Sequence, residues 1–148
     1  MAKKILITGG AGFIGCHSTR YFESKGHKVV IIDNLSRKGT PENLDWIREG
    51  HPVTHYETDI RDFEALTDIF NREKDFSAVI HLASQVSVTN SVANPRDDFD
   101  INTLGTFNML EAVRHFCPHA TFIYARFQNH SVVPAGYAFK GFPRPQVL

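Results

Sequence analysis

The sequence predicts an α/β fold, a doubly wound parallel sheet with strand order 3-2-1-4-5, and three observations carry that expectation. Short apolar runs alternate along the chain with stretches of helical periodicity. The first run leads without a break into glycines at 9, 10, 12 and 15. The second run ends on an acidic residue, Asp33, 18 positions past Gly15. Strands spaced by helices pair in parallel, are covered on both faces and connect through right-handed crossovers.

Each element has a local reason. Ile5, Leu6 and Ile7 form the core of a first strand over residues 4–8. Gly9 stands where the chain turns at once into a helix and a side chain would clash. Gly12 lets the backbone approach a ligand, and Gly15 lets the helix pack closely on the sheet. Phe13, Ile14, Tyr21 and Phe22 continue in a helical pattern, and residues 28–33 form the second strand. Residues 34–50 are a loop holding a short helix, with Pro41 in its first turn and Leu44, Trp46 and Ile47 available to pack inward. A third strand spans 53–57, a turn begins at Asp59, and Phe63, Leu66, Ile69 and Phe70 make an amphipathic helix over one sheet face. The fourth strand is 78–82. A long helix from about Pro95 to Phe116 carries Phe99, Leu104, Phe107, Leu110 and Val113, and the fifth strand is 120–124.

Composition narrows the class. With 148 residues, 16 basic against 16 acidic and 42% hydrophobic, the chain suits one globular domain. Balanced charge gives no electrostatic ground for a nucleic-acid or anionic-membrane partner, and neither is assigned. The apolar run after Lys3 and Lys4 is too short for a leader and no stretch is long enough to span a bilayer. Two cysteines make no disulfide framework, so a cytoplasmic location is expected. Cys16 reads as a packing residue. His115, Cys117 and His119 are separated by Pro118, and His51 and His55 share a side of one strand without a third ligand, so all read as loop or surface residues and no metal site is assigned.

In a doubly wound sheet, ligands bind beyond the carboxyl ends of the strands at the switch point, here between strands 1 and 4. That places residues 8–15, Asp33, Asp59 and residues 82–85 around one crevice. A glycine turn opening a helix is a phosphate cradle, because the first-turn N–H groups face the anion. A carboxylate at Asp33 can accept both ribose hydroxyls of an adenosine, which points to NAD over NADP. Arg37 and Lys38 pull the other way, but the carboxylate repels a 2′-phosphate.

The pieces Thr8-Gly-Gly-Ala-Gly-Phe-Ile-Gly15, Asp33-Asn-Leu-Ser-Arg37, Asp59-Ile-Arg61, His81-Leu-Ala-Ser-Gln85, Asn102-Thr-Leu-Gly-Thr-Phe-Asn108 and Leu110-Glu-Ala112 stand in one order over about residues 3–125. Together they resemble the extended short-chain dehydrogenase/reductases, the group of nucleotide-sugar epimerases and dehydratases. The resemblance implies a Rossmann-type domain that holds NAD. It implies Gly9, Gly12, Phe13 and Ile14 at the pyrophosphate with Gly15 behind them, and Asp33 and Asn34 at the adenosine ribose with Ser36 and Arg37 on its far side. Asp59 and Ile60 would flank the adenine. Leu82, Ala83 and Gln85 would line the path to the nicotinamide ribose, and Asn102 would brace the crevice or satisfy backbone groups. The implied chemistry is oxidation of a sugar carbon, rotation of the keto intermediate and return of hydride to its other face.

The family's proton-handling Tyr-x-x-x-Lys pair is not found after the fifth strand, where the chain reads Ile123-Tyr-Ala-Arg-Phe-Gln-Asn129. Tyr137 and Lys140 are three apart, among Gly136, Gly141 and Pro143, so no catalytic residue is assigned. Residues 126–148 contain no acidic residue and three of the seven prolines. They read as a divergent, irregular tail on a partial domain spanning 1–125, with the sixth strand and the substrate domain missing. An exposed fifth-strand edge, with Phe122 and Tyr124 near it, would favour self-association. Three readings stand: the NAD-binding part of an epimerase, inactive by itself; a non-enzymatic NAD-binding module or subunit completed by a partner; and a non-functional frameshifted product.

Overall fold

Alternate residues of a strand face opposite sides of a sheet, and here both sides are apolar because both are covered. In the computed structural model, which describes residues 2–49 and 53–125, five parallel strands form one sheet in the order β3-β2-β1-β4-β5. They are β1 (Lys4–Thr8), β2 (Lys28–Ile32), β3 (Thr54–Tyr56), β4 (Ala78–His81) and β5 (Thr121–Tyr124). The helices are α1 (Phe13–Ser24), α2 (Thr40–Arg48), α3 (Phe63–Glu73), α4 (Val88–Ala93), α5 (Pro95–Phe99) and α6 (Thr106–Phe116). Leu6, Val30, Ile32 and Val79 meet Leu66, Ile69 and Phe70 of α3 and Met109, Ala112 and Val113 of α6. Ile5, Ile7, Val29 and Ile31 meet Cys16 of α1 and Leu44 and Ile47 of α2 on the other face. Burying each such aliphatic side chain contributes about 1.5 to 3 kcal/mol.

The strand order is the one the sequence predicts; β1 has its predicted span and the other four strands are one or two residues shorter than theirs. Asp33 and Leu82 stand one residue past β2 and β4, each still donating its N–H to the neighbouring strand, and both line the crevice. Cys16 is buried, with Sγ 3.2 Å from the Phe13 carbonyl, and burial pushes its thiol pKa up. Cys117 is also buried, its thiol pushed up to about 11. His55 is no simple surface residue: it is half-buried, with Nε2 3.1 Å from the Asp33 carbonyl oxygen. His51, Tyr137, Lys140 and the predicted tail over 126–148 lie outside the described residues.

The long helix expected from Pro95 to Phe116 is corrected by the structure. Pro95 does open a helix, but α5 lasts five residues, and a wider π-helical turn, Asp100–Gly105, separates it from α6. The buried face carries Gly105, Asn108, Met109, Ala112 and Val113, whereas Phe99, Leu104, Phe107 and Leu110 are 40% to 57% exposed. A π turn holds more residues per turn than an α-helix, so it rotates α6 relative to the apolar pattern. Asn108 locks that phase, because its Nδ2 donates to the Ile60 and Arg61 carbonyls at 3.1 and 3.0 Å. The short helix α4 was not anticipated either. Ser87 caps it by accepting from the Asn90 N–H, a cap with no apolar stripe to announce it.

Candidate functional site

At the carboxyl ends of the strands lies a crevice of about 750 Å3. The glycine turn forms one wall. Gly9, at φ +67°, donates its N–H to the Ile32 carbonyl at 2.8 Å, and its own carbonyl accepts from the Gly12 N–H at 3.0 Å. A Cβ on Gly9 would lie 2.8 Å from the Ala83 nitrogen, so the loops after β1 and β4 touch backbone to backbone. Gly15 is tighter still, since its Cβ would sit 2.1 Å from the Gly9 oxygen. A Cβ on Gly12 would meet only that oxygen, at 3.1 Å, and otherwise protrude into open space. No side chain caps α1 and no acidic residue occupies its first turn. The first-turn N–H groups have no intrahelical acceptor, so the open space beside Gly12 suits an anionic diphosphate.

Asp33 stands just past the end of β2, almost fully buried. Its Oδ2 accepts from the Ala11 N–H at 3.0 Å and its Oδ1 from the Leu35 N–H at 2.9 Å. The sequence leads to the expectation of a ribose contact here; the structure shows this carboxylate tying the glycine turn to the end of β2. The Leu35 bond also offsets the cost of a non-glycine residue at φ 52°. Each carboxylate oxygen has two acceptor sites, so Asp33 retains one on each for hydroxyl donors. Beside it Asn34 Nδ2 donates to Asp59 Oδ2 at 2.9 Å. Arg61 bridges Asp59 and Asp97 at 2.8 and 2.9 Å, and its guanidinium holds the Asp59 carboxyl below the usual carboxylate range.

The opposite wall is the loop after β4. Asn102, in the π turn, pairs with the Gln85 backbone at two points: Oδ1 accepts from the Gln85 N–H at 2.8 Å, and Nδ2 donates to the Gln85 carbonyl at 2.9 Å. Asn102 therefore braces the wall through backbone groups while also lining the crevice.

Gly9, Gly12, Phe13, Ile14, Gly15, Asp33, Asn34, Ser36, Arg37, Asp59, Ile60, Leu82, Ala83, Gln85 and Asn102 all line this one crevice. Ser84 lines it too, within the predicted stretch 82–85, and Thr58, Val88, Ser91, Asp98 and Tyr124 line it as well and were not foreseen. Tyr124 carried a usable signal, being the last residue of a strand at the ligand-binding end of a parallel sheet. The spacing Tyr-x-x-x-Lys does occur once, at Tyr21 and Lys25, with the ammonium 5.6 Å from the ring centroid. That pair sits toward the C-terminal end of α1, roughly 12 Å (Tyr21) and 18 Å (Lys25) along the axis from Phe13 at 1.5 Å per residue. It is not in the crevice. Among the described residues no three His, Cys, Asp or Glu side chains converge as metal ligands, and no helix is long and apolar enough to cross a membrane.

A parallel sheet in this order, a glycine turn with room only for hydrogen at positions 9 and 15, and a carboxylate at the end of β2 together define a dinucleotide-binding domain of Rossmann type. Residues 6–131 match the family model described as GDP-mannose 4,6 dehydratase. The chain belongs to the extended short-chain dehydrogenase/reductases, in their epimerase/dehydratase group. It is 40% identical to CDP-paratose 2-epimerase of Salmonella typhi over 122 residues, 82% of this chain and 36% of that protein. Among solved structures it is similar to the UDP-Glc/GlcNAc 4-epimerase of Campylobacter jejuni, with TM-score 0.77 and 35% identity over 83% of this chain and 36% of that one. It is also similar to Thermus thermophilus UDP-glucose 4-epimerase, solved in complex with NAD, with TM-score 0.65 and 38% identity over 75% of this chain and 33% of that one. The chain thus spans about a third of the length of the relatives it matches.

Proposed function

We propose that this chain is the NAD-binding part of a nucleotide-sugar epimerase of CDP-paratose 2-epimerase type, and that these 148 residues do not turn over sugar nucleotide by themselves. The observation that carries the cofactor reading is the cradle, in which Asp33 fixes the glycine turn beside a helix end with free N–H groups. The narrower reading is supported by Asp33-Asn-Leu-Ser-Arg-Lys-Gly39, Asn43-Leu-Asp-Trp46 and Gln85-Val-Ser-Val-Thr-Asn-Ser-Val92, which resemble that epimerase.

Gly9, Gly12, Phe13, Ile14 and Gly15 would hold the pyrophosphate through backbone groups. Asp33 and Asn34 would take the adenosine ribose, with Ser36 and Arg37 on its far side. Asp59 and Ile60 would flank the adenine. Leu82, Ala83 and Gln85 would form the wall toward the nicotinamide ribose, braced by Asn102. When bound, NAD supplies the hydride acceptor and donor. The chain's residues bind and orient it, and no described side chain in the crevice is assigned the proton transfer.

Titration is expected to show NAD binding more tightly than NADP, because a 2′-phosphate removes a hydroxyl donor and faces Asp33. Asp33→Ala is expected to narrow the preference by about 1 to 3 kcal/mol, the scale of losing charged hydrogen bonds. Equal affinities for the two cofactors in the unaltered chain would sink the assignment. Incubation with CDP-paratose and NAD, with chromatography of the products, is expected to give no epimer, since a positioned proton acceptor is commonly worth about 10²- to 10⁴-fold. Turnover at roughly 1 to 10³ per second, the range of ordinary enzymes, would overturn the inactive reading.

A further inference from the structure

Four side chains and one loop form a closed ring of hydrogen bonds behind the crevice wall. Buried His81, the last residue of β4, places Nδ1 2.7 Å from Thr8 Oγ1 and Nε2 3.0 Å from Thr106 Oγ1. Thr8 Oγ1 lies 3.2 Å from the N–H groups of both Leu82 and Ala83. Thr106 Oγ1 donates to the Asn102 carbonyl at 2.8 Å, and the Asn102 side chain clamps the Gln85 backbone. The loop over residues 82–85 is therefore held at its start by Thr8 and at its end by Asn102. His81 is the tie between the two.

Hydrogen-bond partners decide the tautomer. Thr8 Oγ1 receives the Ala83 N–H and shares the Leu82 N–H, which also reaches the Thr8 carbonyl at 3.1 Å, and the acceptor left for its own proton is Nδ1. Thr106 Oγ1 spends its proton on the Asn102 carbonyl, leaving a lone pair toward Nε2. Both neighbours demand the same form, with Nδ1 bare and Nε2 protonated. An Nδ1–H would add a donor to a hydroxyl that already accepts from the loop and would strand a buried hydroxyl proton.

We infer that His81, as the Nε2–H tautomer, is a positioning residue that sets the crevice wall over residues 82–85 against the glycine turn, with Thr106 as its anchor. The contact it controls is the approach of Ala83 to Gly9, where a single added carbon would lie 2.8 Å from the Ala83 nitrogen. The consequence for affinity rests on the NAD-binding reading above; the consequence for loop geometry does not.

Thr106 is outside the crevice lining, so Thr106→Val and Thr106→Ser test the tie without touching the site. Nitrogen-15 spectra of the full chain are expected to show His81 with Nδ1 unprotonated and Nε2 protonated. In Thr106→Val, amide exchange at Leu82 and Ala83 is expected to rise roughly tenfold, the loss of about one hydrogen bond, while Leu6 and Val79 stay protected. NAD affinity should fall about three- to tenfold, and Thr106→Ser should restore both readouts. An Nδ1–H tautomer, unchanged exchange at Leu82 and Ala83, or a uniform loss of protection across the core with unaltered NAD affinity would each overturn the inference. A chain that binds no NAD at all would overturn the cofactor reading, while the tautomer and exchange results would still decide the role of His81.

Discussion

Gly15→Ala is expected to lower stability by about 3 kcal/mol, the upper part of the overpacking range, because the added methyl strikes backbone that cannot swing aside. Its carbon would sit 2.1 Å from the Gly9 oxygen, 2.7 Å from the Gly10 Cα and 2.9 Å from the Gly10 carbonyl carbon. For a domain of this size such a loss lowers Tm by roughly 10 °C. Separating α1 from the glycine turn also moves the N–H groups that would hold the pyrophosphate. Losing two charge-assisted contacts of about 1.5 kcal/mol each corresponds to at least a hundredfold rise in Kd for NAD. Gly26 provides the control, since it has φ +77° but nothing within 4 Å of an added Cβ. Gly26→Ala is expected to cost about 1 kcal/mol, from conformation alone, and to leave NAD binding unchanged. Calorimetric melting and NAD titration check both variants. A Gly15→Ala protein that melts and binds like its parent would show that the turn is not packed as described.

Acid is expected to remove about 3 kcal/mol of stability as pH falls from 6.5 to 4, through His81 alone. Burial depresses its pKa from 6.5 to about 4, so the native state favours the neutral ring. Above pH 6.5 the ring is neutral in both states, no proton is taken up on unfolding, and the full contribution is present. Between the two pKa values the unfolded chain binds a proton that the folded one refuses, so stability falls with pH. Below about 4 both states are protonated and the His81 contribution is flat. The ring has no carboxylate among its hydrogen-bond or ring partners, which are Thr8, Thr106, Phe122 and Tyr124. Denaturant titrations at a series of pH values, with His81→Phe as reference, isolate this contribution. A variant with the same pH slope as the parent would assign the acid sensitivity to other groups.

What could be read from the chain is local chemistry. Ile5, Leu6 and Ile7 announce a strand because strand burial tracks residue identity directly, and a strand running into Gly9, Gly12 and Gly15 admits few uses. Asp33 was legible for the same reason: a carboxylate ending the second strand of such a unit faces the ligand end of the sheet. The crevice lining was legible in turn, because in a parallel sheet the carboxyl ends of β1, β2 and β4 must lie together.

The phase of α6 was not legible. Leu104, Phe107 and Leu110 form an apolar stripe as good as the buried one, and the choice fell to a π turn and to Asn108 bonding carbonyls 47 and 48 residues away. Asp33 bonding Ala11 across 22 residues, and His81 bonding Thr8 across 73, left no trace in any local window. Sequence by itself therefore determined the elements, their order and the ligand end of the sheet, since propensity, periodicity and the space around glycine act over a few residues. Only the tertiary structure decided which helix face is buried, which proton His81 carries and how the two crevice walls are tied. Those outcomes depend on donors and acceptors that become neighbours only after the crossovers have closed.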